Sequence, residues 1–375
     1  MDIAAKDASA RNQEKQNPTN CLRTDFLIIG KRNFMYSFRN DYSEGAHPAV
    51  LKALTETNEE QTRGYGLDPR CAAAAETIRS LCAAPEADVH FLVGGTQANM
   101  LVIHALLRSF EAVIAADSGH VSTHETGAVE VTGHKVCTVA SPDGKLTPAL
   151  VRQVLDGHDG SEHMVHPKLV YISDTTEVGT VYTRAELSAL RDVCRQRELY
   201  LFLDGARLGS ALTAEGSDLT LSDLAALTDV YTIGGTKNGA LFGEAVVISK
   251  GCKAADFRAY MKQRGAMLAK GRLLGLQFSA LLEDGLYFDL ARHANEMAQL
   301  LRQGIEALGY GFASDSPSNQ IFPIFPDTVV NGLERGYEFE YNGPAGDGLT
   351  GIRLVTSWAT PREAVDRFLQ DLAAL

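Results

Sequence analysis

Cysteine, tryptophan and long apolar runs are scarce in this chain of 375 residues. It has one tryptophan, Trp358, and six cysteines: Cys21, Cys71, Cys82, Cys137, Cys194 and Cys252. No two cysteines are spaced as C-x-x-C, so buried or free thiols in a reducing compartment, the cytoplasm, are expected rather than a disulfide frame. No apolar run approaches the ~20 residues that span a bilayer, which argues against a membrane segment. The first twenty residues carry Asp2, Asp7 and Glu14 and no apolar stretch, unlike a secretory signal or a transit peptide. Basic residues are outnumbered, 35 Lys and Arg against 47 Asp and Glu, for a net charge of −12. A general nucleic-acid binder needs a basic face, so that class is not expected. His120 and His124 do not form an H-E-x-x-H pair, and His163 and His166 sit in a polar stretch, so no metal site is expected. What is present, 45% hydrophobic and 22% charged residues, is the composition of a folded protein with a large core.

Residues 1–34 read as a flexible N-terminal extension. Asn17-Pro18-Thr19-Asn20 breaks regular structure, and only Phe26-Leu27-Ile28-Ile29 could pack. From about residue 45 the pattern alternates. Short apolar runs at 89–93, 112–116, 136–139, 169–172, 199–203, 230–233 and 245–248 are separated by stretches of helical period at 97–109, 147–155 and 184–197. Two further helices are expected earlier, at 47–54 and 75–83. Strands without polar alternation, spaced by helices, indicate a mostly parallel seven-stranded sheet buried on both faces. We expect this large α/β domain over 35–275. A smaller C-terminal α+β domain follows over 276–375, with strands at 321–325, 335–341 and 351–355 and a closing helix at 361–372.

Three loops carry the chemistry. Asp204-Gly205-Ala206-Arg207 directly follows an apolar strand. It reads either as a helix N-cap with a turn glycine or as a carboxylate at the strand ends where α/β sheets bind ligands. Further on, Gly234-Gly235-Thr236-Lys237-Asn238-Gly239 flanks a lone lysine with small residues. Lys237 is either a surface lysine or an amine whose surroundings favour loss of its proton and covalent chemistry. Val93-Gly94-Gly95-Thr96-Gln97-Ala98-Asn99 joins a strand to a helix. It is a tight turn or a phosphate cradle; it is neither a Walker loop nor a G-x-G-x-x-G fingerprint. A cradle, a carboxylate and a lysine, each after a strand of one sheet, together form the layout of a pyridoxal phosphate enzyme.

With these loops, Phe38-Arg39-Asn40-Asp41-Tyr42-Ser43, Thr176-Glu177-Val178-Gly179 and Arg353-Leu354-Val355-Thr356-Ser357-Trp358 make the chain resemble the low-specificity L-threonine aldolases of the β-eliminating lyase group. The resemblance runs from about Met35 to the end. It implies the aspartate-aminotransferase-like fold (fold type I) with pyridoxal 5'-phosphate as cofactor. The implied reaction is Cα–Cβ cleavage of L-threonine, L-allo-threonine and related β-hydroxy-α-amino acids to glycine and an aldehyde. β-Elimination or amine transfer on the same scaffold is the alternative.

By the same resemblance, Lys237 holds the cofactor and Asp204 faces the pyridine nitrogen. His120 stacks on the ring, Gly95, Thr96 and Gln97 cradle the phosphate, and Thr236 and Arg207 are further cofactor-binding residues. Arg207 and Arg353, with Asn40 nearby, bind the substrate carboxylate. Glu177 stands where some relatives have a histidine, so the identity of the base stays open. The family also implies a homodimer or homotetramer with active sites at the dimer interface, and Lys270 or Arg272 as the residue that reaches the partner's phosphate.

Overall fold

A computed structural model describes residues 35–252, 254 and 256–375; the extension expected over 1–34 lies outside these. A two-residue strand β1 (Tyr36–Ser37) and helices α1 (Pro48–Glu56) and α2 (Pro69–Leu81) precede strand β2 (Asp88–Leu92). Helices and strands then alternate through α3 (Gly95–Leu106), β3 (Glu111–Ala116), α4 (His120–Thr123), β4 (Val136–Val139), α5 (Pro148–Asp156) and β5 (His166–Ser173). The series continues with α6 (Arg184–Gln196), β6 (Tyr200–Asp204), α7 (Leu208–Thr213), α8 (Leu221–Leu227), β7 (Val230–Gly234) and β8 (Glu244–Ile248).

Strands β2 to β8 form one seven-stranded sheet in the order β2-β8-β7-β6-β5-β3-β4. The ladders from β7 through β4 are parallel, and β8 runs antiparallel between β7 and β2. Each strand coincides with one of the seven apolar runs. The reason is visible in β3, whose six residues are all buried. Ala112, Ile114 and Ala116 pack into one core cluster, while Val113 and Ala115 pack into another on the opposite face. A sheet covered by helices on both sides leaves no polar face to alternate with.

Helix α2 begins six residues before the expected 75. Asp68 caps it by accepting from Cys71 N at 2.8 Å, and Pro69 occupies the first turn. This Asp-Pro start signal outweighs the weak helical period of the alanine run that follows.

After β8 come α9 (Phe257–Gln263), α10 (Arg272–Leu282) and α11 (Leu286–Ala307). The remaining elements are β9 (Gly311–Phe312), β10 (Gln320–Ile321), β11 (Pro323–Pro326), α12 (Asp327–Leu333), β12 (Tyr337–Glu338), β13 (Glu340–Gly346), β14 (Leu349–Val355) and α13 (Arg362–Ala373). The single strand expected at 321–325 is two, interrupted before Pro323, which has no N–H to donate. The strand expected at 335–341 also divides: β12 pairs with β1, and β13 with β14. Residues 36–375 form one compact unit. Helix α10 spans the boundary expected at 275 and packs closely on α2, where a Cβ on Gly275 would meet the Cys71 backbone at 2.6 Å.

Strands β9, β10, β11, β13 and β14 form a second sheet, and a third core cluster, with Phe38, Met297, Phe325, Ile352, Leu354 and Phe368, packs against it. Phe38 N donates to Glu338 O, and Phe38 O accepts from Val355 N, both at 2.8 Å. A motif near the start of the chain is thereby tied to strands near its end. The five described cysteines are unpaired, and four of them are buried. No helix among the described residues is long and apolar enough to cross a membrane.

The ends of β6 and β7 approach closely at two glycines. Gly205 N donates to Thr232 Oγ1 at 2.8 Å, and Gly234 N donates to Gly205 O at 3.0 Å. A Cβ on Gly205 would lie 2.0 Å from Thr232 O, and one on Gly234 would lie 2.5 Å from Ala206 O. Both obstacles are backbone and cannot rotate away. Gly205→Ala is therefore expected to destabilise the fold by ~1–3 kcal/mol or more. Urea unfolding should show a lowered midpoint, whereas an unchanged midpoint would mean that the strand ends are free to separate.

Candidate active site

The C-terminal ends of β5, β6 and β7, the first turn of α3 and the α4 turn surround a cavity of about 320 Å³. It is lined by Gly94, Gly95, Thr96, His120, Glu177, Asp204, Arg207, Thr236 and Lys237, among others. A second, outer cavity of about 610 Å³ is lined by His124, Arg353 and Tyr341. Tyr42, His120, Glu177, Arg207 and Lys237 line both.

Asp204 ends β6 and is held firmly. Its Oδ2 accepts from Asn99 Nδ2 and from the Tyr171 hydroxyl, each at 2.7 Å, and its Oδ1 accepts from Ala206 N at 2.9 Å. Burial, together with the charges of Asp204 and Glu177, raises the Tyr171 pKa well above its ordinary value, so the phenol keeps its proton and stays a donor.

From Asp204 a ring of polar contacts runs round the inner wall. Asn99 Nδ2 also donates to Glu125 Oε1 at 2.8 Å, and that oxygen lies 2.8 Å from His120 Nδ1. His120 N donates to Glu177 Oε1 at 3.0 Å, which also accepts from Ser173 Oγ at 2.8 Å. Ser173 Oγ then lies 3.3 Å from the Tyr171 hydroxyl and closes the ring. Burial alone would lower the His120 pKa, but the bond to Glu125 and the charges of Asp204 and Glu125 reverse this and raise it. Glu177 is raised by burial, with help from Asp204, against the Ser173 hydrogen bond and the nearby His120.

Lys237 is half-buried after the end of β7. Burial and the neighbouring Arg207 lower its pKa, against the pull of Asp41, Asp204 and Glu244. Arg207 is engaged: its Nε donates to Asp41 Oδ2 at 2.7 Å and its Nη2 to Asp41 Oδ1 at 3.1 Å. Asp41 is fully buried, which would raise its pKa, yet the charges of Arg207 and Lys237 hold it low. Arg353, on β14, is the less committed guanidinium. Its Nε is buried and has no hydrogen-bond partner among the described residues.

The first turn of α3 suits an anion. Its N-cap, Gly94, offers no capping side chain, and a Cβ on Gly94 or Gly95 would meet no atom within 4 Å and would enter the cavity space. Free N–H groups and the helix dipole then face that space.

The structure thus brings Lys237, Asp204, His120, Glu177, Gly95, Thr96, Thr236 and Arg207 to one cavity, and Arg353 to the adjoining one. It does not bring Gln97 or Asn40 to either lining. Gln97 Oε1 turns back to accept from Val93 N at 3.2 Å. Asn40 Oδ1 accepts from Tyr42 N at 2.9 Å and Ser43 Oγ at 3.0 Å, a local turn that presents Tyr42 to the cavity instead. Arg272 donates to the carbonyls of Thr57 and Asn58, whereas Lys270 is exposed.

Sequence reading missed Asn99, Glu125, Tyr171, Ser173 and Glu244, and the partnership of Asp41 with Arg207. Asn99 and Asp41 sit inside motifs already singled out. Ser173 is in register with Asp204 across the β5–β6 ladder, and Tyr171 precedes it by one side-chain period. Polar residues at that spacing near a strand end were the available signal.

A mostly parallel sheet with an uncapped helix start, a held carboxylate and a lysine at its strand ends is the scaffold of the pyridoxal phosphate-dependent enzymes of fold type I. Residues 38–325 match the beta-eliminating lyase family, and the chain belongs to it. It is 34% identical over 342 residues to a low specificity L-threonine aldolase of Pseudomonas sp. (strain NCIMB 10558), covering 90% of this chain and 97% of that protein. The solved structure of Leishmania major threonine aldolase is 50% identical, with a TM-score of 0.89 over 90% of this chain and 99% of that one. A Thermus thermophilus aspartate aminotransferase, at 19% identity and a TM-score of 0.67 over 91% of both chains, shares the fold.

The ring of contacts makes His120 a reporter. Its folded pKa is raised, so its contribution to stability is present below the unfolded value and is lost as pH rises through the folded one. Glu125→Gln removes the partner's charge and should lower the His120 titration midpoint in cofactor-free protein, read by NMR of the ring protons. An unmoved midpoint would show that Glu125 does not set the protonation of His120.

Proposed function

We propose that the protein is a pyridoxal phosphate-dependent aldolase that cleaves L-threonine, L-allo-threonine and related β-hydroxy-α-amino acids to glycine and an aldehyde. The names of its relatives support this reading, and one observation of the site carries it. Glu177, a half-buried carboxylate with a raised pKa, stands on the wall shared by the inner and outer cavities. Cleavage between Cα and Cβ needs a proton acceptor on the substrate side of the cofactor, and a carboxylate poised nearer neutrality serves better than an ordinary one.

The residues present fit pyridoxal 5'-phosphate. The N–H groups at the start of α3, with the hydroxyls of Thr96 and Thr236, would hold the phosphate. Asp204 would accept from the ring nitrogen, His120 would lie against the ring, and Lys237 would hold the cofactor covalently. Bound there, the cofactor supplies an electron sink for the pair released at Cα.

The protein's own groups do the rest. The lowered pKa of Lys237 increases the fraction of free amine available for covalent attachment. Arg353 binds the substrate carboxylate with donors that no described residue occupies at Nε. Arg207, fixed by Asp41, keeps positive charge between that carboxylate and Lys237. Glu177 takes the β-hydroxyl proton as the C–O bond becomes a carbonyl and the Cα–Cβ bond breaks. The aldehyde leaves by the outer cavity, and a proton added at Cα completes glycine.

In this reading residues 35–275 carry the cofactor and 276–375 form the smaller domain. The active form is a cytoplasmic homodimer or homotetramer, with exposed Lys270 better placed than Arg272 to reach a partner's site. Unpaired thiols support the compartment.

Two experiments test this. Purified protein incubated with L-threonine should release glycine and acetaldehyde in equal amounts, and Lys237→Ala should lose covalent cofactor and nearly all turnover. Ketoacid plus ammonia as the products would replace the aldolase reading with elimination. Glu177→Gln should keep the cofactor but lower kcat for threonine cleavage by ~10²–10⁴-fold. It should leave exchange of the glycine Cα proton near normal, because that exchange involves no hydroxyl. Loss of both activities together would assign Glu177 to the framework rather than to the proton.

A further inference from the structure

Glu244 is a buried acid that neither the fold nor the steps above employ. It opens β8 with 3% of its surface exposed. It is in register with Gly234 of β7 on one side and Leu92 of β2 on the other. That places it between the loop that carries Lys237 and the turn that leads into α3. It lines the inner cavity together with Gly94, Gly95, Thr96, Thr236 and Lys237.

Its Oε2 is buried without a hydrogen-bond partner among the described residues. Lys237 feels its charge, but no ion pair joins the two among those residues. Burial pushes the Glu244 pKa up to about 8; the Asp204 charge adds to this, while Lys237 and the Thr236 hydroxyl oppose it. Tyr287 of α11 is the other titratable group that faces it. Burial and the Glu244 charge raise its pKa, and its hydroxyl is occupied in donating to Gly234 O at 3.0 Å.

An ionised carboxylate at this place would repel any anion at the start of α3. A neutral acid would instead add a donor to the uncapped N–H groups. We propose that Glu244 is a further cofactor-binding residue, a carboxylic acid that donates its proton in a hydrogen bond to the phosphate held at the N-terminus of α3. The inference rests on the cofactor reading of the site. It makes phosphate affinity depend on one proton: binding is tight below the pKa of the acid and weakens above it, toward tenfold per pH unit.

Cofactor-free protein is titrated with pyridoxal phosphate, and separately with pyridoxal, between pH 6.5 and 9.5, following the bound chromophore. The ratio of the two dissociation constants cancels the ionisation of Lys237 and isolates the phosphate. In the native protein the preference for the phosphorylated compound should fall as pH rises above about 8. In Glu244→Gln, which keeps a donor but cannot ionise, that fall should be absent. Glu244→Met fills a similar volume with no donor; its preference should be flat with pH and lower than that of the native protein at pH 6.5. If the preference has the same pH dependence in the native and Gln proteins, or if the Met protein keeps the full preference, Glu244 does not donate to the phosphate and Lys237 still binds the cofactor. If the native protein binds neither compound, the cofactor reading itself fails, and this inference with it.

Discussion

Buried carboxylate is the constraint around which this site is organised. Asp41, Glu125, Asp204 and Glu244 are buried and Glu177 is half-buried, each lining the pair of cavities or bonded to a residue that does, and each would cost energy, up to several kcal/mol when buried, if left charged and unpartnered. The structure meets that cost differently at each. Asp41 takes a two-pronged guanidinium. Asp204 takes an amide, a phenol and a backbone N–H. Glu125 shares the same amide and adds an imidazole. Glu177 has only a hydroxyl and one backbone N–H, and its pKa rises accordingly.

These solutions depend on elements far apart in sequence. Asn99 on α3 reaches Asp204 across 105 positions, and Arg207 reaches Asp41 across 166. The second is possible only because Phe38 is locked into the core under the second sheet, so that the backbone after it turns toward the end of β6. Asn40 makes that turn by bonding to Tyr42 N, while Asn319 supports Asp41 from the other side at 3.0 Å. A residue that looks like a ligand in the sequence is thus a fastener for the ligand's neighbour. The same holds for Gln97, whose carbonyl oxygen closes the turn before α3. Short polar side chains beside turns satisfy their own backbone first.

This explains what was legible. The seven strands could be read because a sheet buried on both faces writes each strand as an unbroken apolar run, such as Val230–Gly234. The three loops could be read because small residues around a lysine or carboxylate are contiguous in sequence. Glu125 and Glu244 could not. Each is an unremarkable polar residue at the edge of an element, and it acquires meaning only when another strand or helix is set beside it. The short strands β1 and β9 escaped for a related reason. With two residues apiece they carry no period, and their pairing partners, β12 and β11, lie elsewhere in the chain.

The titrations that follow from this packing sort the site into roles. Asp41 is held low beside Arg207 and Lys237, so it remains an anion and serves as the anchor for a fixed positive charge. Glu177 is raised, and Lys237 is lowered, by burial. The acid and the amine are thus pushed toward each other's range, whereas Asp41 is pushed away from it. The difference comes from partners rather than from depth, since Asp41 is the most deeply buried of the three. Arg207 is close enough to Asp41 to stabilise its charge, and the same positive charge disfavours a proton on Lys237. One guanidinium therefore fixes an anion on one side and favours a free amine on the other.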